Sequence, residues 1–183
     1  QRWRRLGYPF DHLVPSLATA LGSSGDRPAA LAELMGIILN DGVRQPTLRI
    51  DSVHFGRATP YETLLRRQVE PGEQVMAPEV AGALRSVLAE VVDNGTARRL
   101  RGGYRMSDGG ALSIGGKTGT GDNRIFTIGA NGQRANAGRA LNRTATFVFY
   151  LGANHFGTLT AFVPGEAASQ FRFTSALPVQ VLR

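Results

Sequence analysis

The chemistry-bearing stretch of this sequence is Gly115-Gly116-Lys117-Thr118-Gly119-Thr120. Lys117 is the only lysine in 183 residues; the rest of the Lys+Arg total of 21 is arginine. An ammonium there raises the local potential and favours an anionic substrate group or a low-pKa neighbour. The hydroxyls of Thr118 and Thr120 can hydrogen-bond a carboxylate. Gly119 puts no side chain between substrate and backbone, and Gly115 and Gly116 do the same just upstream. On a strand edge, the backbone N–H of Thr120 is suited to half of an oxyanion hole. The other chemistry open to a Gly-Lys-Thr run is a phosphate loop, which needs Gly, four residues, then Gly-Lys-[Ser/Thr]. Counting back from Gly116, that glycine falls on Ala111, and Gly110 is one place too far. The loop must also open a helix, whereas Gly119, Gly121 and Asp122 follow at once and make a poor first turn. The phosphate reading fails on both counts.

Other chemistries are bounded by composition. There is no cysteine, which removes disulfides, thiolate zinc sites and a cysteine nucleophile. His12, His54 and His155 stand far apart with no metal-ligand spacing, so neither metal nor cofactor is expected. A net charge of +7 invites a nucleic-acid reading. Yet the arginines run from Arg2 to Arg183, and the densest group (Arg98, Arg99, Arg101, Arg105) follows a predicted helix end, where cations complement the dipole. With no aromatic interleaving, a solvated basic surface is the better reading and no nucleic-acid partner is expected. No apolar run reaches 18 residues, so no membrane span is expected, and Gln1-Arg2-Trp3-Arg4-Arg5 leads into no apolar segment of a signal peptide. The length suits one domain or a piece of a larger one.

The elements that must position Lys117 are legible around it. A helix is expected over about residues 28–40, with Leu31, Leu34, Met35, Ile38 and Leu39 on one face, Pro28 in the first turn and Asn40-Asp41-Gly42 as the stop. Thr47–Phe55 reads as a strand, Gly56 to Pro60 as a turn, and a return strand is expected through Val69 to Pro71-Gly72. A second helix opens at Pro78, carries Val80, Leu84, Val87, Leu88 and Val91 as a stripe, and ends at Asp93-Asn94-Gly95. Beyond the Lys117 segment and Arg124–Ile128 come a polar loop over 129–142 and strands at Thr144–Leu151 and about Thr158–Val163, paired as an antiparallel hairpin. The tail is expected to become helical. Helix, β-pair, helix and then several strands fit an α+β layer architecture.

Three segments together resemble the C-terminal half of the transpeptidase domain of penicillin-binding proteins, particularly the bifunctional class A kind. They are Leu21-Gly22 through Pro28 and Leu39-Asn40-Asp41-Gly42 to Pro46; Val80–Val92 with Asn94-Gly95-Thr96-Ala97; and Ile114 through Lys117-Thr118-Gly119-Thr120, which matches the family's Lys-Thr-Gly strand. The resemblance covers about residues 17–125. It implies an antiparallel sheet of five strands flanked by helices, in an enzyme that cross-links peptidoglycan stem peptides. An active-site serine is acylated, D-alanine leaves and an acceptor amine takes the acyl group; β-lactams trap the serine. Lys117 would hold the charge network beside the second-motif serine. Thr118, Gly119 and Thr120 would bind the peptide or β-lactam with its carboxylate on the two hydroxyls, and the Thr120 N–H would serve the oxyanion hole. The location implied is extracytoplasmic, periplasmic or on the envelope side, with any membrane anchor outside this chain.

The chain departs from the family where the nucleophile should be. A Ser-x-x-Lys pair built on the only lysine requires serine at 114, which is Ile114, and no Asn has Ser two positions before it. Arg27 also replaces the usual helix-capping Thr, a loss of about 1 kcal/mol. Residues 1–183 are therefore expected to be the C-terminal segment of a transpeptidase domain, whose upstream half, a partner in the same protein, holds both missing motifs. The rivals are a serine β-lactamase or carboxypeptidase relative, a non-catalytic scaffold or sensor of the same fold, and more distantly a basic anion- or nucleic-acid-binding module. The 183-residue chain by itself is expected to take up no fluorescent penicillin. A stoichiometric serine adduct, detected by intact-mass measurement, would overturn that expectation.

Overall fold

The computed structural model describes residues 5, 6, 17, 27–68, 70–136 and 138–183. Leu21-Gly22, Asp26, His12 and Val69, on which some of the expectations above rest, lie outside them. Helix α1 spans Pro28–Leu39 and helix α2 spans Pro78–Asp93, each with proline in the first turn. The Arg27 side chain makes no capping bond, in keeping with the lost threonine. At the exit of α1, Gly42 adopts φ +86 and donates its N–H to the Ile37 carbonyl at 2.8 Å. A Cβ there would lie 2.0 Å from the Met76 carbonyl oxygen, so packing as well as conformation requires glycine.

The main sheet has three antiparallel strands in the order β5 (Ile114–Ile125), β6 (Arg139–Leu151) and β7 (His155–Pro164). The hairpin predicted between the last two is present, with Tyr150 opposite Phe156 and Phe147 opposite Leu159. Among the described residues the sheet has three strands where the resemblance implies five. The ladder is longer than composition suggested. The polar segment 129–142 contributes 139–142 to β6, because Asn142, Ala140 and Arg139 pair with Asn123, Arg124 and Ile125 across a bulge. Only 126–138 lies between β5 and β6, held by the Ile128–Arg134 bridge and by the Arg134 guanidinium 3.9 Å above the Phe126 ring.

Small strand pairs flank the helices. β1 (Val43–Arg44) pairs with β4 (Glu73–Gln74), and β2 (Ser52–Phe55) pairs with β3 (Thr63–Arg66). The strand predicted from Thr47 is thus only four residues long, because its partner supplies no ladder before Ser52. The return strand lies at Thr63–Arg66, earlier than expected, because the turn after Gly56 is tight, with the Thr59 N–H donating to the Gly56 carbonyl.

Burial decides which predicted faces are used. In α1, Ala30, Met35, Gly36, Ile37 and Ile38 are buried while Leu31, Leu34 and Leu39 are half-buried, since this helix packs on β6, β7 and α2 together. A Cβ on Gly36 would sit 2.6 Å from the Phe156 ring. In α2 the predicted stripe is rotated. Val80 and Val87 are exposed at 49% and 63%, and Ala81 and Val92 are buried, because the helix turns its Ala81–Leu88–Val92 side to the sheet. Val92, Ala97, Leu100, Ile114, Phe147 and Val179 form the core, the last from helix α3 (Ala176–Leu182). The Tyr104 hydroxyl donates to the Leu182 carbonyl and ties α3 down. Arg143, nearly buried on β6, donates to the Phe173 carbonyl at 2.9 Å and faces Asp122 at 3.7 Å, joining the tail to the far end of β5.

Phe147 is fully buried at the centre of this core. Phe147→Ala is expected to cost about 3–5 kcal/mol of stability. The check is a urea titration of the purified chain; an unshifted midpoint would contradict the packing described.

Candidate functional site

The Lys117 segment lies in β5, the outer strand of the sheet, where it passes from the core to the surface. Ile114, Gly115 and Gly116 are buried, Lys117 is exposed, Thr118 is half-buried, and Gly119 and Thr120 are exposed. The two buried glycines are required by their partner strand. A Cβ on Gly115 would lie 2.4 Å from the Tyr150 ring, and one on Gly116 would lie 2.4 Å from the Val148 carbonyl and 2.7 Å from the Phe147 ring. Gly119 differs. No atom lies within 4 Å of where its Cβ would be, so its missing side chain leaves open space over the strand.

Three of the four sequence-nominated residues carry polar groups, and each has one partner. Lys117 Nζ donates to the Thr118 carbonyl at 2.6 Å and has no carboxylate partner among the described residues. The Thr118 and Thr96 hydroxyls are 2.7 Å apart. Thr120 Oγ1 accepts the Ser175 backbone N–H at 2.9 Å. Counting protons defines what remains. The Thr96–Thr118 bond uses one of two hydroxyl protons, so one is left to donate. Thr120 accepts from the backbone and keeps its own proton free. Lys117 commits one of its N–H bonds to the Thr118 carbonyl and retains the others. The arrangement is a positively charged cluster with uncommitted donor protons on Lys117, on the Thr96–Thr118 pair and on Thr120, complementary to a carboxylate or an oxyanion.

Thr96 and Ser175 were not nominated from the sequence. Thr96 had a signal, because it stands in the Asn94-Gly95-Thr96-Ala97 exit of α2. There the Ala97 N–H returns to the Val91 carbonyl at 3.0 Å and swings the chain towards β5. Ser175 had none. It acts through a backbone N–H from 55 residues away. No group of three or more His, Cys, Asp or Glu able to hold a metal occurs among the described residues.

The family model for the penicillin-binding protein transpeptidase domain matches residues 15–160. The chain belongs to this family. Penicillin-binding protein 1A of Neisseria lactamica is 32% identical over 123 residues, which is 64% of this chain and 14% of that protein. The meningococcal proteins of the same name are 31% identical over the same length. The chain therefore spans about one-seventh of the curated relatives it matches, or 14%. Among solved structures, penicillin-binding protein 1A of Haemophilus influenzae superposes with a TM-score of 0.65 at 19% identity, covering 98% of this chain and 29% of that one. Penicillin-binding protein A of M. tuberculosis, solved as a ceftriaxone acyl-enzyme complex, gives 0.62 at 17% identity, covering 98% and 40%. At such identities these two show a shared transpeptidase-domain fold, α+β with an antiparallel sheet flanked by helices.

Tyr150, whose ring covers Gly115 just before Lys117, donates its hydroxyl to the Arg85 carbonyl at 3.1 Å. Burial pushes this phenol above its ordinary value of 10.0, against the opposing pull of its Ser113 hydrogen bond and the Arg85 charge. The unfolded chain then loses this proton first as pH rises, so the contribution is complete below about pH 10 and is lost above it. Urea unfolding at pH 8 and above pH 10 is expected to show a decline in stability that is shallower in Tyr150→Phe. Equal slopes would rule out the buried phenol as its source.

Proposed function

We propose that this chain supplies the substrate-binding strand of a peptidoglycan D,D-transpeptidase, with Lys117-Thr118-Gly119-Thr120 as its Lys-Thr-Gly motif. The observation that carries the reading is the set of uncommitted donor protons on Lys117, Thr118 with Thr96, and Thr120, beside the open space over Gly119. The carboxylate at the end of a stem peptide, or of a β-lactam, accepts from the free Thr120 proton and from the Thr96–Thr118 pair. The Lys117 charge lowers the energy of that anion and of the anionic centre beside it. Thr118 turns its carbonyl to the Lys117 ammonium, and Thr120, two residues on, is in phase with it along the strand. In this reading the Thr120 N–H points to the same side and meets the oxygen of the scissile carbonyl.

No Ser-x-x-Lys or Ser-x-Asn occurs in the 183 residues, so in this reading the nucleophile comes from the upstream half of the same domain, together with the two further strands. That serine oxygen bonds to the penultimate carbonyl carbon, the C–N bond to terminal D-alanine breaks, and the proton goes to the departing amine. An acceptor amine then displaces the serine. The partners are stem peptides and β-lactams, with no cofactor. The setting is the extracytoplasmic side of the envelope, and any membrane anchor belongs to another part of the protein.

The test is fluorescent penicillin labelling of the protein that carries this chain together with its serine. Lys117→Ala is expected to slow acylation about 10²–10³-fold, the range for removing a group that stabilises developing charge. Thr120→Val is expected to weaken it about tenfold, the value of one charge-assisted hydrogen bond. Labelling unchanged in Lys117→Ala would refute the assignment. Absence of labelling in the unaltered protein would favour the non-catalytic scaffold.

A further inference from the structure

Beside the Lys117 cluster lies a cavity of about 480 Å³, lined by Thr96, Arg98, Arg99, Thr174 and Ser175 among others. It adjoins the cluster through two of its own walls. Thr96 is bonded to Thr118, and Ser175 holds Thr120. The lining contains no aspartate or glutamate. Arg98 and Arg99 occupy the short 3-10 turn after α2, and both are exposed. Neither guanidinium forms an ion pair or side-chain hydrogen bond among the described residues. This sets them apart from Arg85, Arg124 and Arg143, which are satisfied by Asp41, Asp122 and backbone carbonyls. Two adjacent uncompensated guanidiniums, each with five donors in a planar fork, face a space flanked by further hydroxyls.

We propose that this cavity is a second anion subsite, and that the substrate is an acidic peptide carrying a side-chain carboxylate besides its C-terminal one. The proposal rests on the reading of Lys117 to Thr120 as the subsite for the terminal carboxylate. Thr118 and Thr120 take that group, and Arg98 and Arg99 take the other across the Thr96–Ser175 boundary. A carboxylate in the arginine pocket gains charge-assisted, bidentate hydrogen bonds that an amide of the same shape does not. The pocket therefore discriminates by charge and not by size, and its contribution falls as salt rises.

The probes are two tripeptides of equal shape, N-acetyl-Glu-D-Ala-D-Ala and N-acetyl-Gln-D-Ala-D-Ala, titrated calorimetrically into the protein at low and high salt. The unaltered protein is expected to prefer the Glu peptide about tenfold at low salt, with the preference shrinking at high salt. In Arg98→Gln/Arg99→Gln the preference falls to about one. In Thr120→Val both peptides weaken together and the preference persists. Binding of both peptides without preference, or a preference that survives the double arginine variant, overturns the second subsite alone. If neither peptide binds the unaltered protein, the terminal-carboxylate reading falls, and the second subsite with it.

Discussion

Two aromatic rings resting on two glycines hold β5 in register with β6, and the rest of the molecule depends on that contact. Tyr150 lies over Gly115 and Phe147 over Gly116, so close that any side chain at 115 would have to displace the Tyr150 ring and one at 116 would meet the Val148 carbonyl. Slipping β5 by one residue would bring Lys117 under a ring and turn every side chain to the opposite face. The register is fixed again at the far end by Arg143, which holds Asp122 and the Phe173 carbonyl together. Between these two anchors the strand leaves the core, and the four residues with chemistry to offer are the ones it carries to the surface.

The cluster keeps donor protons uncommitted. In a folded protein most polar groups are satisfied within the structure, yet here each partner leaves a proton behind. The Ser175 N–H occupies the lone-pair side of Thr120, and Thr96 meets Thr118 hydroxyl to hydroxyl. Lys117 finds a carbonyl and no carboxylate. A neighbouring acid would have neutralised the ammonium and taken up the hydroxyl protons. Its absence among the described residues keeps the field of the site positive.

Much of this was legible in the residues, and the exceptions have physical causes. Pro28 and Pro78 mark helix starts because proline fits a first turn, and both helices begin there. The run Thr144–Leu151 is apolar enough to be read as a strand, but its polar extension back to Arg139 is not, since it is the pairing with β5 that makes those residues a strand. The pairing of Val43–Arg44 with Glu73–Gln74 is two residues long and carries no periodicity to detect. Val80 and Val87 obey the helical spacing and still face outward, because spacing defines a stripe and not the surface that will cover it. At the candidate site, Lys117, Thr118, Gly119 and Thr120 were nominated from type and order. Ser175 was not, because a backbone N–H is the same in every residue but proline.

The reach of that Ser175 contact has a consequence for how the molecule is assembled. Thr96 meets Thr118 across 22 residues and Ser175 meets Thr120 across 55. Closing the longer loop costs about 0.8 kcal/mol more in chain entropy than closing the shorter one. The Thr96 side of the cluster is therefore available as soon as α2 and β5 have met. The Thr120 side waits for β6, β7 and the tail to be made and docked. During synthesis the chain holds the residues of its candidate site long before it holds their orientation. The segment around Ser175, made after β5, β6 and β7, is thus the one that aims the Thr120 hydroxyl.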